Sequence, residues 1–250
     1  MKNDFFKPRT RLFVPAAGEP FLDLRDSESL AVRRTLRLRQ GDAAACFNGD
    51  GREYEYGVES STPSSLLLRL EDSHPNPRDA FPECSVFIAA TKGKTKDRIA
   101  RDLPPLGATR IVFYRAARSI CRMKDDPEGR LQKIAIEACR QCGRSTIPRV
   151  VVEDASISDF FKKEKWPPDR VVFFWEEAKS IPPFRIPGDD SPLFIIFGPE
   201  GGFSPEEADF ARRQGFQFGA LGSRILRTEL AAVAGLVLAQ AQRNLFSAVA

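Results

Sequence analysis

The sequence Phe197-Gly198-Pro199-Glu200-Gly201-Gly202-Phe203-Ser204 follows the short apolar run of residues 193–197. The length and β-branched content of that run predict a buried strand that ends at a glycine-rich turn. A helix is predicted to follow, because Ser204, Pro205 and Glu207 have the spacing of a capping box with proline at the first helical position. Glycines between a strand and a helix leave backbone groups accessible, so the turn is a candidate ligand-binding loop.

A second stretch, Leu221-Gly222-Ser223-Arg224-Ile225-Leu226-Arg227-Thr228, has the same form. Residues 216–221 predict a strand, and residues 229–244 predict a long alanine-rich helix with Thr228 as its cap. Two glycine turns on the same edge of one sheet would face each other across one pocket. Neither turn has the dinucleotide fingerprint or the Lys-Ser/Thr pair of a phosphate loop. Either turn alone is also compatible with an ordinary tight turn.

From residue 83 onward strands and helices alternate, which predicts a mainly parallel sheet covered on both faces. The predicted strands are residues 85–90, 110–114, 149–152, 170–175, 193–197 and 216–221. The predicted helices are residues 95–103, 128–142, 156–163, 205–214 and 229–244. Pro104 and Pro105 are expected to end the first of these helices early.

Residues 1–71 predict a small β-rich domain. Its predicted strands are residues 11–14, 43–47, 53–58 and 65–70, and residues 29–38 predict a helix or a helical turn. The turn Asn48-Gly49-Asp50-Gly51 tolerates positive φ and is expected to close a hairpin. The polar run of residues 72–79 carries two prolines and is typical of a linker, so we predict a linker at residues 72–82 and a second domain at residues 83–250.

Composition indicates a globular protein, with 42% hydrophobic and 29% charged residues. No apolar run reaches membrane-spanning length, and the first residues lack the apolar core of a secretion signal, so we expect a cytoplasmic protein. The formal charge of +4 and the pI of about 8.8 permit a nucleic-acid partner without requiring one.

The sequence contains few side chains of the types that bind metals or act in histidine-based catalysis. His74 is the single histidine, which argues against histidine triads and histidine metal sites. Cys139 and Cys142 form a lone C-x-x-C on a predicted helix, and we interpret them as small core residues because no second pair is nearby. We therefore expect no metal.

The two glycine stretches together resemble the signature of the SPOUT methyltransferases, and within them the RsmE-type family that methylates N3 of a uridine in 16S ribosomal RNA. The resemblance extends over nearly the whole chain. It implies an α/β fold in which a trefoil-knotted, mainly parallel C-terminal domain carries a small N-terminal PUA-like β-barrel. It also implies S-adenosylmethionine as cofactor, a homodimer, and ribosomal RNA in the small subunit as partner. General topology rules would exclude a knot, so that expectation comes from the resemblance alone.

By this resemblance, the two stretches supply the cofactor site. Its expected residues are Phe197, Gly198, Pro199, Glu200, Gly201, Gly202, Leu221, Gly222, Ile225, Leu226, Arg227 and Glu229. The catalytic candidates are Glu200, Arg227 and Arg118. For Glu200 a structural role as acceptor of loop N–H groups stays open, and for Arg227 a salt bridge to a glutamate of the motif stays open.

Basic side chains are expected to bind RNA. Four arginines fall within residues 33–39, and arginine binds phosphate oxygens through a planar fork, although a solvated helix edge would give the same pattern. Lysines after the first strand of the second domain are equally compatible with surface charge. The RNA-binding candidates are Arg33, Arg34, Arg37, Arg39, Lys92, Lys94, Arg118, Arg140 and Arg144.

Methylation at N3 requires a uridine that loses its proton as it attacks. Without a suitable histidine, a carboxylate, a held water or the field of nearby arginines must take that role. Two other functions remain open: a different SPOUT activity such as ribose 2′-O-methylation of tRNA, and a non-catalytic RNA-binding factor for ribosome assembly.

Overall fold

The structure is a computed structural model that describes residues 10–25, 37–79, 81–91, 94–120, 128–177 and 184–243. The chain divides into two compact units. The first unit consists of residues 1–80 and 139–147, and the second consists of residues 81–138 and 148–250. No helix in the described ranges has the length and hydropathy that crossing a bilayer would need.

The first unit contains a five-stranded sheet in the order β1-β3-β4-β5-β2. Its strands are β1 (Arg11–Phe13), β2 (Phe21–Leu24), β3 (Ala43–Phe47), β4 (Arg52–Thr62) and β5 (Ser65–Pro75). Strand β1 pairs parallel to β3, and the other pairings are antiparallel. Alternate residues on one face are buried around Tyr56, Leu66 and Leu68, as expected for a sheet with one buried face.

Three features of this unit differ from the prediction. Strand β4 continues to Thr62, four residues beyond the predicted end at residue 58. Residues 72–75 are not a linker but the end of strand β5, where Asp72 pairs with Glu55 and Pro75 pairs with Arg52. Among the described residues, β2 pairs with β5 only at residues 66–69, so Pro75 lies at an edge of the sheet, where proline is tolerated. Strand β2 was not predicted, since only one of its four residues, Leu22, is buried. The predicted helical segment at residues 29–38 lies largely outside the described residues.

Residues 139–147 belong to the first unit through a buried polar network. The Asp79 carboxylate accepts hydrogen bonds from the backbone N–H groups of Ser145, at 2.6 Å, and Thr146, at 2.8 Å. The Arg11 guanidinium donates to the Cys139 carbonyl at 3.1 Å, and the Asn76 amide donates to the Gly143 carbonyl at 2.7 Å. Buried polar groups need such partners, so this run of chain is held in place by hydrogen bonds.

The second unit contains a six-stranded sheet in the order β11-β9-β10-β6-β7-β8, and all of its pairings are parallel. Its strands are β6 (Cys84–Ala89), β7 (Arg110–Tyr114), β8 (Arg149–Val152), β9 (Val171–Phe174), β10 (Leu193–Phe197) and β11 (Gln217–Gly219). The predicted strands and the mainly parallel sheet are confirmed, and only the strand ends differ by up to two residues.

Among the described residues, four helices lie between these strands and a fifth follows β11: α1 (Thr95–Asp102), α2 (Glu128–Cys142), α3 (Ile157–Glu164), α4 (Pro205–Arg213) and α5 (Thr228–Gln242). As predicted, α1 stops before Pro104, where a short 3-10 turn follows. Buried side chains form one core cluster on each face of the sheet, with Ile88 and Phe197 in one and Phe87 and Ile196 in the other. The α/β fold class is confirmed, and the trefoil knot stays a prediction.

Candidate functional site

The glycine loop begins where strand β10 ends, at the carboxyl edge of the parallel sheet. Phe197 is only 2% exposed, and its ring stacks on Phe174 with centroids 4.9 Å apart. The buried Tyr114 hydroxyl donates to the Phe197 carbonyl at 3.1 Å. Burial raises the pKa of Tyr114 well above its ordinary value, which keeps this donor protonated. The Phe197 side chain therefore supports the loop from the core, and its expected place in the cofactor site stays a prediction.

The three glycines of the loop meet different surroundings. A Cβ on Gly198 would lie 2.9 Å from the Phe203 ring, so only glycine fits there. Gly202 has φ +69°, and a Cβ on it would overlap the Glu176 carboxylate. A Cβ on Gly201 would meet only ordinary contacts, the nearest being Arg118 at 3.6 Å. The Gly202 N–H donates to the Pro199 carbonyl at 2.9 Å and closes a tight turn.

The capping box at the start of α4 is confirmed. The Ser204 N–H donates to the Glu207 carboxylate at 2.8 Å, and the Glu207 N–H donates to the Ser204 hydroxyl at 3.3 Å. Two helix N–H groups that would lack partners are thereby satisfied, and the end of the glycine loop is fixed to the helix.

The second loop, residues 220–227, follows β11 and is largely exposed. Gly222 has φ +85° with no atom within 4 Å of an added Cβ, and the Ile225 side chain is 94% exposed. Leu221 and Leu226 are half-buried. Helix α5 is capped by Arg227, which makes no side-chain cap bond, so the prediction that Thr228 is the cap is wrong. Arg227 has a β-region backbone and Thr228 is helical, so the helix starts at Thr228, one residue earlier than predicted.

The two loops are on the same edge, as predicted, but the strands that lead to them are not neighbours. Strand β9 lies between β10 and β11, and the Trp175 N–H after β9 donates to the Gly219 carbonyl at 3.0 Å. Glu176 comes next and places its carboxylate against Gly202. This side chain was missed from the sequence, where it is one of many glutamates and only its position directly after a predicted strand pointed to the site.

The charged candidates differ in their partners. The Arg118 guanidinium donates to the Gly201 carbonyl at 3.1 Å, so Arg118 lies beside the glycine loop as expected. Glu200 and Arg227 are exposed, and neither side chain has a hydrogen-bond or ion-pair partner among the described residues. The structural alternatives for these two, an acceptor of loop N–H groups and a salt bridge, are therefore not seen. The Glu229 carboxylate lies 3.4 Å from Arg98 on α1.

The expected RNA-binding residues have different environments. Arg37, Arg39 and Lys94 are exposed, and Arg140 is half-buried. Arg33, Arg34 and Lys92 lie outside the described residues.

The structure corrects the prediction made for Arg144. Arg144 is 3% exposed, lies 3.4 Å from Asp79 and donates to the Thr146 hydroxyl at 2.9 Å, so its guanidinium is not available to phosphate. The prediction that Arg144 binds RNA is wrong.

Within the described ranges, no three His, Cys, Asp or Glu side chains are grouped in a way that could hold a metal ion. Cys139 and Cys142 are therefore not part of such a group among the described residues. Cys139 is buried, which raises its thiol pKa to about 12, and Cys142 is half-buried with its sulfur 3.7 Å from the Cys139 carbonyl. Both thiols are free, and their interpretation as small helix residues agrees with the structure.

Comparison with known proteins agrees with this geometry. Residues 79–240 match the family described as RNA methyltransferase domain. Ribosomal RNA small subunit methyltransferase E of Bacillus subtilis is 28% identical over 85% of this chain and 86% of its own length.

Two solved structures share the fold. Ribosomal RNA small subunit methyltransferase E from Neisseria gonorrhoeae, bound to S-adenosyl methionine, has a TM-score of 0.80 and 24% identity, and covers 93% of this chain and 97% of its own. A structure from Legionella pneumophila in complex with the bound cofactor SAM has a TM-score of 0.75 and 26% identity, with the same coverage. The alignments extend over both units.

Proposed function

Because this chain belongs to the RNA methyltransferase domain family, we propose that it transfers a methyl group from S-adenosylmethionine to N3 of a uridine in 16S ribosomal RNA. The observation that carries the proposal is the pair of glycine loops flanking the end of β9 at the carboxyl edge of the parallel sheet. This edge is where α/β sheets bind their ligands. The cofactor bound to the Legionella relative supports the choice of S-adenosylmethionine.

The residues of the two loops fit this cofactor chemically. The half-buried Leu221 and Leu226 and the exposed Ile225 offer apolar surface for the adenine ring. The open side of Gly201 leaves backbone accessible, and the Glu176 carboxylate supplies a negative group for a ligand with a positive sulfonium and a positive ammonium. When bound, the cofactor supplies an activated methyl group.

The residues of the chain then have to orient the uridine and accommodate the loss of its proton. Holding the two reactants in line accounts for much of the acceleration expected of such a site. In this proposal, Arg118, which donates to the Gly201 carbonyl, and Arg227, whose guanidinium has no partner among the described residues, stabilise negative charge on the uridine. Glu200 is the candidate base, since its carboxylate has no partner among the described residues, whereas Glu229 is engaged by Arg98.

The N-terminal region is assigned to RNA binding in this proposal. The first unit, residues 1–80 and 139–147, would act as a PUA-like domain that grips the RNA, and the second unit, residues 81–138 and 148–250, would act as the SPOUT catalytic domain. Arg37 and Arg39 are exposed in the first unit, where their guanidinium groups can reach phosphate oxygens. The net charge of +4 favours such a partner. The substrate would be 16S ribosomal RNA within the small subunit.

We include a homodimer and a cytoplasmic location in the proposal. Leu230 and Leu238, two turns apart on α5, are 53% and 46% exposed. Exposed apolar side chains along one helix face favour burial against a second copy of the chain. Sedimentation of the purified protein tests the dimer, and a Leu230→Glu, Leu238→Glu variant is expected to sediment as a monomer.

The methyl transfer is tested with purified protein, S-adenosylmethionine and small subunits from cells that lack the gene. Nucleoside mass spectrometry is expected to find 3-methyluridine in 16S RNA only when the protein is present. A ribose-methylated nucleoside would overturn the choice of N3. Calorimetry without S-adenosylmethionine binding would overturn the enzyme assignment and leave RNA binding alone.

A further inference from the structure

We propose that Glu207 is a positioning residue that joins the glycine loop to the loop carrying Arg118, and so keeps the Arg118 guanidinium beside the methyl-transfer site. The inference rests on the proposed function and adds a role for a side chain that the capping box alone would not predict. We name the two segments the glycine loop, residues 198–204, and the arginine loop, residues 115–119.

The Glu207 carboxylate binds both loops at once. One oxygen, Oε2, accepts the Ser204 N–H of the glycine loop at 2.8 Å. The other, Oε1, accepts the Ala117 N–H of the arginine loop at 2.9 Å. The next residue, Arg118, reaches back to the Gly201 carbonyl at 3.1 Å. The two loops are thus joined by a carboxylate on one side and by a guanidinium on the other.

The sheet does not by itself hold these loops together at that level. The arginine loop follows β7 and the glycine loop follows β10, and strand β6 lies between the two. The Tyr114–Phe197 hydrogen bond joins the strands one layer below, at the sheet edge. Above that layer, the hydrogen bonds that join the two loops within the described residues are those of Glu207 and Arg118.

A carboxylate is the side chain that this arrangement requires. Both partners of Glu207 are backbone N–H donors, so two acceptor oxygens are needed. Glutamine has nearly the same shape but only one acceptor oxygen, and its NH₂ group would face one of the two donors. Hydrogen bonds to an ionised acceptor are also about twice as strong as those between neutral groups. Glu207→Gln therefore breaks one of the two bonds with little change in volume.

The chain offers a matched control. Helix α3 begins with the same motif, in which the Ser156 N–H donates to Asp159 at 2.9 Å and the Asp159 N–H donates to the Ser156 hydroxyl at 3.3 Å. Among the described residues, the Asp159 carboxylate accepts hydrogen bonds from Ser156 alone. Asp159→Asn consequently perturbs a capping box without removing a hydrogen bond to either loop, since its carboxylate interacts with the arginine loop only through the charge of Arg115.

The test measures kcat/KM for methyl transfer to small subunits, together with thermal melting, for both variants. We expect Glu207→Gln to lower kcat/KM about tenfold, a loss equal to one charge-assisted hydrogen bond, while Asp159→Asn leaves it within about twofold. Similar melting shifts are expected for the two. Equal activity of the two variants would overturn the proposal, because Glu207 would then act only as a helix cap.

A double-mutant cycle with Arg118→Ala tests whether Glu207 acts through Arg118. In the Arg118→Ala background, Glu207→Gln is expected to lower kcat/KM by less than about twofold, and independent multiplication of the two effects would overturn the proposal. If that background is too slow to assay, Arg118→Lys replaces it, since lysine keeps the charge but not the planar fork.

One measurement needs no activity. The Ala117 amide is expected to exchange slowly with solvent in the wild-type protein and at least tenfold faster in Glu207→Gln. Fast exchange in the wild type would overturn the contact itself. An inactive wild-type protein would instead count against methyl transfer, so failure of the proposed function and failure of this inference give different results.

Discussion

Replacing Gly202 by alanine tests the shape of the glycine loop and the place of Glu176 in it. Gly202 has φ +69°, a left-handed conformation that costs a residue with a side chain about 1–2 kcal/mol. A Cβ there would also overlap the Glu176 carboxylate. That carboxylate is the end of a flexible side chain, so it can move aside and adds little to the loss of stability. The expected destabilisation of Gly202→Ala is therefore about 1–2 kcal/mol.

Gly215→Ala is the control for the energetic cost of placing a side chain on a left-handed backbone. Gly215 lies in the same unit with φ +74°, and an added Cβ would meet only Pro168 at 3.6 Å, an ordinary contact. Both variants are expected to lower the melting temperature by about 2–8 °C, at about 2–4 °C for each kcal/mol in a chain of this size. Unchanged melting of Gly202→Ala would contradict its left-handed conformation.

Cofactor affinity separates the two variants. In Gly202→Ala the carboxylate is displaced from the loop, so calorimetry is expected to show about tenfold weaker binding of S-adenosylmethionine, the equivalent of about 1.4 kcal/mol. Gly215→Ala is expected to bind as the wild type does. Glu176→Ala alone is expected to weaken binding by a similar factor. Wild-type affinity in both Gly202→Ala and Glu176→Ala would refute the assignment of this carboxylate to the pocket.

Three further predictions concern stability. Gly235→Ala removes a residue with poor helix propensity, but its Cβ would lie 2.6 Å from the Phe197 ring, so urea unfolding is expected to show a net loss of about 1 kcal/mol; a stabilised variant would contradict this close packing. Tyr114→Phe leaves the Phe197 carbonyl without its buried donor, and a loss of about 1–3 kcal/mol is expected by the same method, with an unchanged free energy counting against the bond. Burial raises the pKa of Cys84 to about 12, so the native state retains a proton that the unfolded chain loses above about pH 9. The free energy of unfolding should therefore fall from pH 9 upward under reducing conditions. Cys84→Ala should show a shallower fall, and identical pH slopes of the two proteins would contradict this prediction.

The strands of the second unit could be predicted because each is a short, continuous apolar run. Leu193–Phe197 is buried along its whole length, as a central parallel strand requires, and its composition shows this without any long-range information. The helix that follows could be predicted equally well, since its capping box lies within four consecutive residues. Such features depend on neighbours in sequence.

The errors concern features whose partners are distant in sequence. The end of strand β5 is polar, and Asp72 is exposed although it pairs with Glu55. This part of the strand therefore lacks the alternation of apolar and polar residues from which a strand is predicted. Arg144 has the composition of a surface residue, and its burial depends on Asp79, 65 positions earlier. Glu176 follows a correctly predicted strand, but the position of β9 between β10 and β11 is a matter of strand order, which periodicity does not encode.

The glycines of the loop serve different purposes, although their sequence context is alike. Gly198 is required by the Phe203 ring, and Gly202 is required by its positive φ, so both are explained by the protein's own structure. Gly201 is not, because an added Cβ would lie at ordinary distances from Arg118. A Cβ at Gly201 could therefore be accommodated without displacing any neighbouring atom among the described residues. Our proposal that a ligand approaches the backbone at Gly201, beside the Arg118 guanidinium, would account for the absence of a side chain at that position.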